Sequence, residues 1–121
     1  MTADNFRKMA LEYPDAIESA HMNHPDFRIN GRIFATLGVP DEGSAMVKLT
    51  PEQQQAFMRE SPRVFYPCSG AWGRGGATHV RLASANRDVV RAALDCAFQN
   101  VAAKTKKQKQ KKKNDGANES L

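Results

Sequence analysis

The sequence predicts an α+β domain: a mostly antiparallel sheet of about five to six strands, meander plus hairpin, with about three helices packed on it. Three observations carry that expectation. Amphipathic stripes at helical spacing open and close residues 1–103, and helix-start signals at Thr50-Pro51-Glu52-Gln53 stand between them. Strand-forming residues between Ile17 and Leu49 are joined by tight turns, one of them Asn30-Gly31. Strands also come in adjacent runs instead of alternating with helices, which implies antiparallel pairing with the helices segregated.

Residues 4–13 read as the first helix. Phe6, Met9, Ala10 and Tyr13 form one stripe, Asp4 suits the N-cap, and Pro14-Asp15 stops the helix. Residues 17–22 pattern weakly, as an edge strand does. FRINGRIFATL follows, with Asn30-Gly31 as a two-residue hairpin turn that needs positive φ at both central positions. That turn sets Ile29 opposite Arg32, Arg28 opposite Ile33 and Phe27 opposite Phe34. Phe27, Ile29 and Phe34 then share one face, and Ile33, Ala35 and Leu37 share the other with Arg28. Both faces carry apolar residues, so the pattern alone does not tell which one the helices cover.

Pro40-Asp41-Glu42-Gly43 turns the chain into a strand over 45–49, and these strands read as a meander. Thr50-Pro51-Glu52-Gln53 opens a second helix, expected to run to Glu60 and end before Pro62. Thr50 suits the N-cap, Pro51 the first helical position, and Gln53 completes a capping box. Val64-Phe65-Tyr66 is a short strand. After a glycine-rich stretch, Thr78, Val80 and Leu82 alternate with His79 and Arg81 in a half-buried strand. The last helix begins near Asn86, with Val90, Leu94, Ala97 and Val101 as its stripe. No large apolar residue follows until Leu121, so residues 104–121 are expected as a disordered lysine-rich tail on a 1–103 domain.

Charge divides along the same line. The net charge is +5, but Lys104, Lys106, Lys107, Lys109, Lys111, Lys112 and Lys113 all lie in the tail. Residues 1–103 hold eleven basic and eleven acidic side chains, so the domain is formally neutral. Two cysteines, Cys68 and Cys96, do not make a disulfide framework in 121 residues. The N-terminus shows no secretory pattern, and no apolar run approaches the ~20 residues that span a bilayer. A cytoplasmic protein with reduced thiols and no membrane partner is expected.

Three blocks, HPDFRINGRIFATL at 24–37, VKLTPEQQQAF at 47–57 and WGRGGATHVRL at 72–82, resemble the MmcQ/YjbR-like family in that order. The final helix is similar in position and length, and the resemblance spans residues 5–102. It implies an α+β fold with a mostly antiparallel sheet, related in topology to frataxin-like proteins. The resemblance also implies a double-wing arrangement and DNA binding. No catalytic residue carries over. The frataxin-like iron role does not transfer either, since the first helix holds only Glu12, with Asp15 after it.

Other chemistry is weakly supported. His21, His24 and Asp26 stand close together, yet a zinc site needs three or four converging ligands, and Cys68, Cys96 and His79 are singly placed. The stretch GAWGRGG resembles a phosphate-cradling loop but lacks the Lys-Ser/Thr pair and leads into a strand. A flexible hairpin or wing is expected there, with Trp72 anchoring it or exposed at its tip. Arg74 is then either presented to a phosphate or merely solvated. Cys68, Cys96 and Ser69 lack any nucleophile–base spacing. The tail lysines suit counterion release from a phosphate backbone, or simple solubility, and they alternate with glutamines instead of stacking aromatics.

The expectation is therefore a non-enzymatic, monomeric DNA-binding protein without metal or other cofactor. Arg28, Arg32, Lys48, Arg74 and Arg81 on the sheet and its wings would give shape, and the lysine tail would add non-specific affinity. The alternative is a protein-interaction adaptor or chaperone-like domain with no nucleic-acid role.

Overall fold

A computed structural model describes the backbone of residues 1–119 and the side chains of residues 1–104. Its elements are α1 (Ala3–Leu11), β1 (Ile17–His21), β2 (His24–Ile29), β3 (Arg32–Leu37), β4 (Ser44–Lys48), α2 (Pro51–Glu60), β5 (Phe65–Pro67), α3 (Gly70–Arg74), β6 (Ala77–Arg81) and α4 (Arg87–Glu119). The strands form one six-stranded sheet in the order β1-β2-β3-β4-β6-β5, with every neighbouring pair antiparallel. The predicted α+β class is the one observed, and β1 is an edge strand as read. The meander stops at β4, because β6 inserts between β4 and β5.

Local chemistry explains most boundaries. Thr50 accepts from the Gln53 N–H, Gln53 accepts in turn from the Thr50 N–H, and Pro51 occupies the first helical turn. Asn86 Oδ1 accepts from the Val89 N–H at the start of α4. The first helix differs from its expected form. Thr2, not Asp4, is the N-cap, accepting from the Asn5 N–H, and the helix closes at Leu11.

The turn at Asn30-Gly31 has φ of 50° and 82°, as a twisted two-residue hairpin requires. Ile29 pairs with Arg32 and Arg28 with Ile33, but Phe27 pairs with Ala35. A β-bulge leaves Phe34 as the extra residue. Two consecutive residues of a bulged strand can face the same side, and here Phe34 and Ala35 both enter the main core. This corrects the expected Phe27–Phe34 pair and settles which face the helices cover.

On that face Phe27, Ile29, Phe34, Leu37, Val47 and Val80 meet Phe6 and Met9 of α1 and the Val90, Leu94, Ala97, Val101 stripe of α4. Tyr13 stacks on Phe98 and meets Phe34 edge-on. Phe57 of α2 packs on Phe65, with ring centroids 5.1 Å apart. A smaller cluster of Met46, Cys68 and Ala77, with Ile33 against it, is separate from this core. The glycine-rich stretch is not a wing, since it forms the short helix α3. The α4 backbone continues to Glu119 through the stretch expected as a tail, while the side chains of residues 105–121 lie outside the described residues.

Candidate functional site

A groove of about 810 Å³ opens where the β2–β3 turn, the end of β4, α3 and the far part of α4 converge. The turn contributes Gly31 and Arg32, β4 contributes Lys48, α3 contributes Trp72, and α4 contributes Gln99, Asn100, Val101, Ala103 and Lys104. Leu49, Pro51 and Val101 supply apolar wall. Among the described residues, no carboxylate, histidine or thiol lines it.

Its walls are fixed from behind. Asn100 Nδ2 donates to the Lys48 carbonyl (3.0 Å) and to Gln53 Oε1 (2.8 Å), tying α4 to the end of β4 and to the α2 cap. Gln54 is buried, and its Nε2 donates to the Gly73 and Ala77 carbonyls, both at 3.0 Å. Those bonds hold α3 against α2 and β6. Gly73 permits the approach, because a Cβ there would lie 1.7 Å from the Cys68 carbonyl oxygen. The result is a Trp72 side chain held at the surface on a rigid support. It is 51% exposed, with Lys48 Nζ 5.2 Å from its ring centroid, within the range of a cation–π contact.

Of the basic residues singled out in the sequence, the structure brings Arg32, Lys48 and Lys104 together in this groove. Arg28 is engaged elsewhere. Its Nε and Nη2 donate to both oxygens of the fully buried Asp26, at 2.7 and 3.0 Å, and His21 Nδ1 lies 2.7 Å from Asp26 Oδ2. Arg81 lies over the Tyr66 ring, 4.1 Å from its centroid. Arg74 lines a shallower depression with Gln54, Gln55 and Cys68. Lys106, Lys107, Lys109, Lys111, Lys112 and Lys113 fall outside the side chains described.

Electrostatics separate the groove from the other polar groups. Arg28, with help from His21, holds the Asp26 carboxyl below its usual range against the opposing effect of burial. Burial pushes the Cys68 thiol up to about 11, the charge of Lys48 pulling the other way. Cys68 is therefore protonated at neutral pH and is a poor nucleophile. Burial also lowers the pKa of His79, whose Nδ1 is buried without a hydrogen-bond partner. Among the described residues, no three of His, Cys, Asp and Glu gather closely enough to hold a metal ion. No described helix is long and apolar enough to cross a membrane. The groove can bind an anion with an aromatic or apolar part.

Sequence reasoning names the cations but misses Asn100, which ties α4 to the Lys48 backbone, and Gln54, which holds the helix carrying Trp72. Neither stands in a motif. Gln54 sits on a polar helix, and its burial depends on the later α3 segment folding back onto it.

Fold and groove together define a small helix-on-sheet domain with a cationic, aromatic-edged cleft at one end. The chain belongs to the YjbR family, whose model matches residues 11–100. The fold is similar to the crystal structure of Deinococcus radiodurans protein DR2400, a DUF419 domain, at a TM-score of 0.70 and 17% identity, covering 83% of this chain and 78% of that one. That likeness is one of fold. No curated protein matches the chain.

Proposed function

We propose that this protein is a non-enzymatic DNA-binding protein that acts as a cytoplasmic monomer. It holds the phosphate backbone at the groove formed by Arg32, Lys48 and Lys104. The observation that supports this reading best is the composition of that groove. Three cations from three separate elements line it, with no carboxylate among the described residues there, although the domain as a whole is formally neutral. Two cations of the neutral domain thus meet Lys104 in one cleft, and acidic residues such as Asp26, Glu12 and Glu18 are used in ion pairs elsewhere. The β2–β3 hairpin that carries Arg32 takes the part of a wing. The lysines after Lys104 extend the positive charge along the sequence and add affinity without sequence preference. Arg28 and Arg81 hold the sheet together in this reading and are not primary DNA contacts.

A titration across salt tests it. Replacing the six lysines from Lys106 to Lys113 with glutamine should flatten the slope of log affinity against log salt, by about 0.9 for each phosphate no longer neutralised. Arg32→Ala in that background should weaken the affinity that remains. A glutamine variant with no measurable affinity at about 50 mM salt, where backbone contacts are strong, would show that the groove does not hold DNA. An adaptor role for the domain would then be favoured.

A further inference from the structure

We infer that the groove takes single-stranded nucleic acid, with one unpaired base laid against Trp72, in preference to an intact duplex. The inference rests on the nucleic-acid reading above and specifies which form of the polymer fits.

Trp72 is the sole tryptophan in the chain, and it stays half exposed on a helix that Gln54 and Gly73 lock in place. An indole left in water forgoes a large apolar contribution, and covering it with a planar, polarisable partner recovers that contribution. Lys48 Nζ stands over the ring, so a base stacking there arrives beside a cation that can meet its phosphate. Arg32 and Lys104 line the same cleft from the hairpin and from α4. Aromatic platform and cations in one groove are the two parts that single-strand binding sites combine.

Shape points the same way. A duplex keeps its base faces inside the stack and offers only backbone and groove edges. To reach a tryptophan set in a cleft it must be opened, at a cost of base pairing and stacking. A single strand presents a free π-face without that cost. The cleft, about 810 Å³, falls in the range of about 300–1,000 Å³ common for sites that enclose a small ligand or one nucleotide-sized group.

The test uses the full chain and its single tryptophan as reporter. A twelve-residue oligothymidylate and a duplex of equal length are titrated at low salt, following Trp72 fluorescence together with the anisotropy of a labelled oligonucleotide. The single strand should bind about tenfold more tightly than the duplex and quench the indole emission. Trp72→Ala should lose about tenfold in single-strand affinity, the scale of one base–aromatic stack, and Trp72→Phe should keep most of it. Duplex affinity should be unmoved by either change. Duplex binding as tight as single-strand binding, with emission unchanged, overturns this inference and leaves the DNA-binding reading standing. Binding of neither polymer overturns both.

Discussion

At the residue scale, the most constrained group is Asp26, a carboxylate with no solvent exposure inside the β1–β2 hairpin. A buried charge survives only when fully paired, and here Arg28 supplies two bonds and His21 one. The folded-state pKa of Asp26 lies below its usual value, chiefly through Arg28. Its contribution to stability is thus complete above the unfolded pKa of about 3.9 and is lost as pH falls through the lower folded value. Asp26→Asn should lower the denaturation midpoint at neutral pH. It should also flatten the decline of stability as pH falls below about 4, because asparagine has no proton to take up. An unchanged acid limb in that variant would mean that another carboxylate sets it. Tyr13 works at the opposite end of the scale. It donates to Asp95, and burial with that bond raises its phenol to about 12. The stability it lends is complete below about pH 10 and disappears as pH rises through the folded value. Spectrophotometric titration should show a tyrosine step near pH 12, and Tyr13→Phe should remove it.

At the scale of elements, the β2–β3 hairpin and the α2 cap show what local sequence determines. Asn30-Gly31 and Thr50-Pro51-Glu52-Gln53 each specify their geometry through neighbours within four residues, and both are legible for that reason. Gly31 holds φ at 82°. Gly31→Val puts a β-branched side chain there and should cost at least about 1 kcal/mol, read as a lower midpoint in chemical denaturation. Arg32 sits beside that turn, so the same change should also weaken DNA binding. Thr50→Ala removes the acceptor for the Gln53 N–H and should cost about 1 kcal/mol. The bulge at Phe34 is not legible. Strict alternation places Phe34 and Ala35 on opposite faces, and only the packing of Phe34 between Tyr13 and Phe98 rewards the extra residue that puts both on one. The α3 helix escapes the sequence for a related reason. Four glycines in seven residues suggest a mobile loop, but Gly73 is there to let the backbone approach Cys68 closely. Close approach between distant segments leaves no periodic mark in a sequence.

At the scale of the whole molecule, charge is arranged on two levels. The domain balances eleven basic against eleven acidic side chains, and the excess of positive charge follows it in sequence from Lys104. Within the balanced domain, folding pairs Asp4, Glu12, Glu18 and Asp26 with arginines and leaves the groove lined by cations. Sequence alone identifies the basic residues but does not sort paired from unpaired ones, because that depends on which strand edge or helix each arginine meets. Arg28 and Arg81 look as available as Arg32 until Asp26 and Tyr66 are placed beside them. In the proposed function the groove, and not the sheet arginines, receives nucleic acid. Amide and indole resonances of the full chain, followed by NMR during titration with a short oligothymidylate, separate those two surfaces in one experiment. The largest shifts are expected at Arg32, Lys48, Trp72 and Lys104, with Arg28 and Arg81 nearly still. Shifts centred on Arg28 and Arg81, or confined to the lysines beyond Lys104, would place nucleic acid outside the groove.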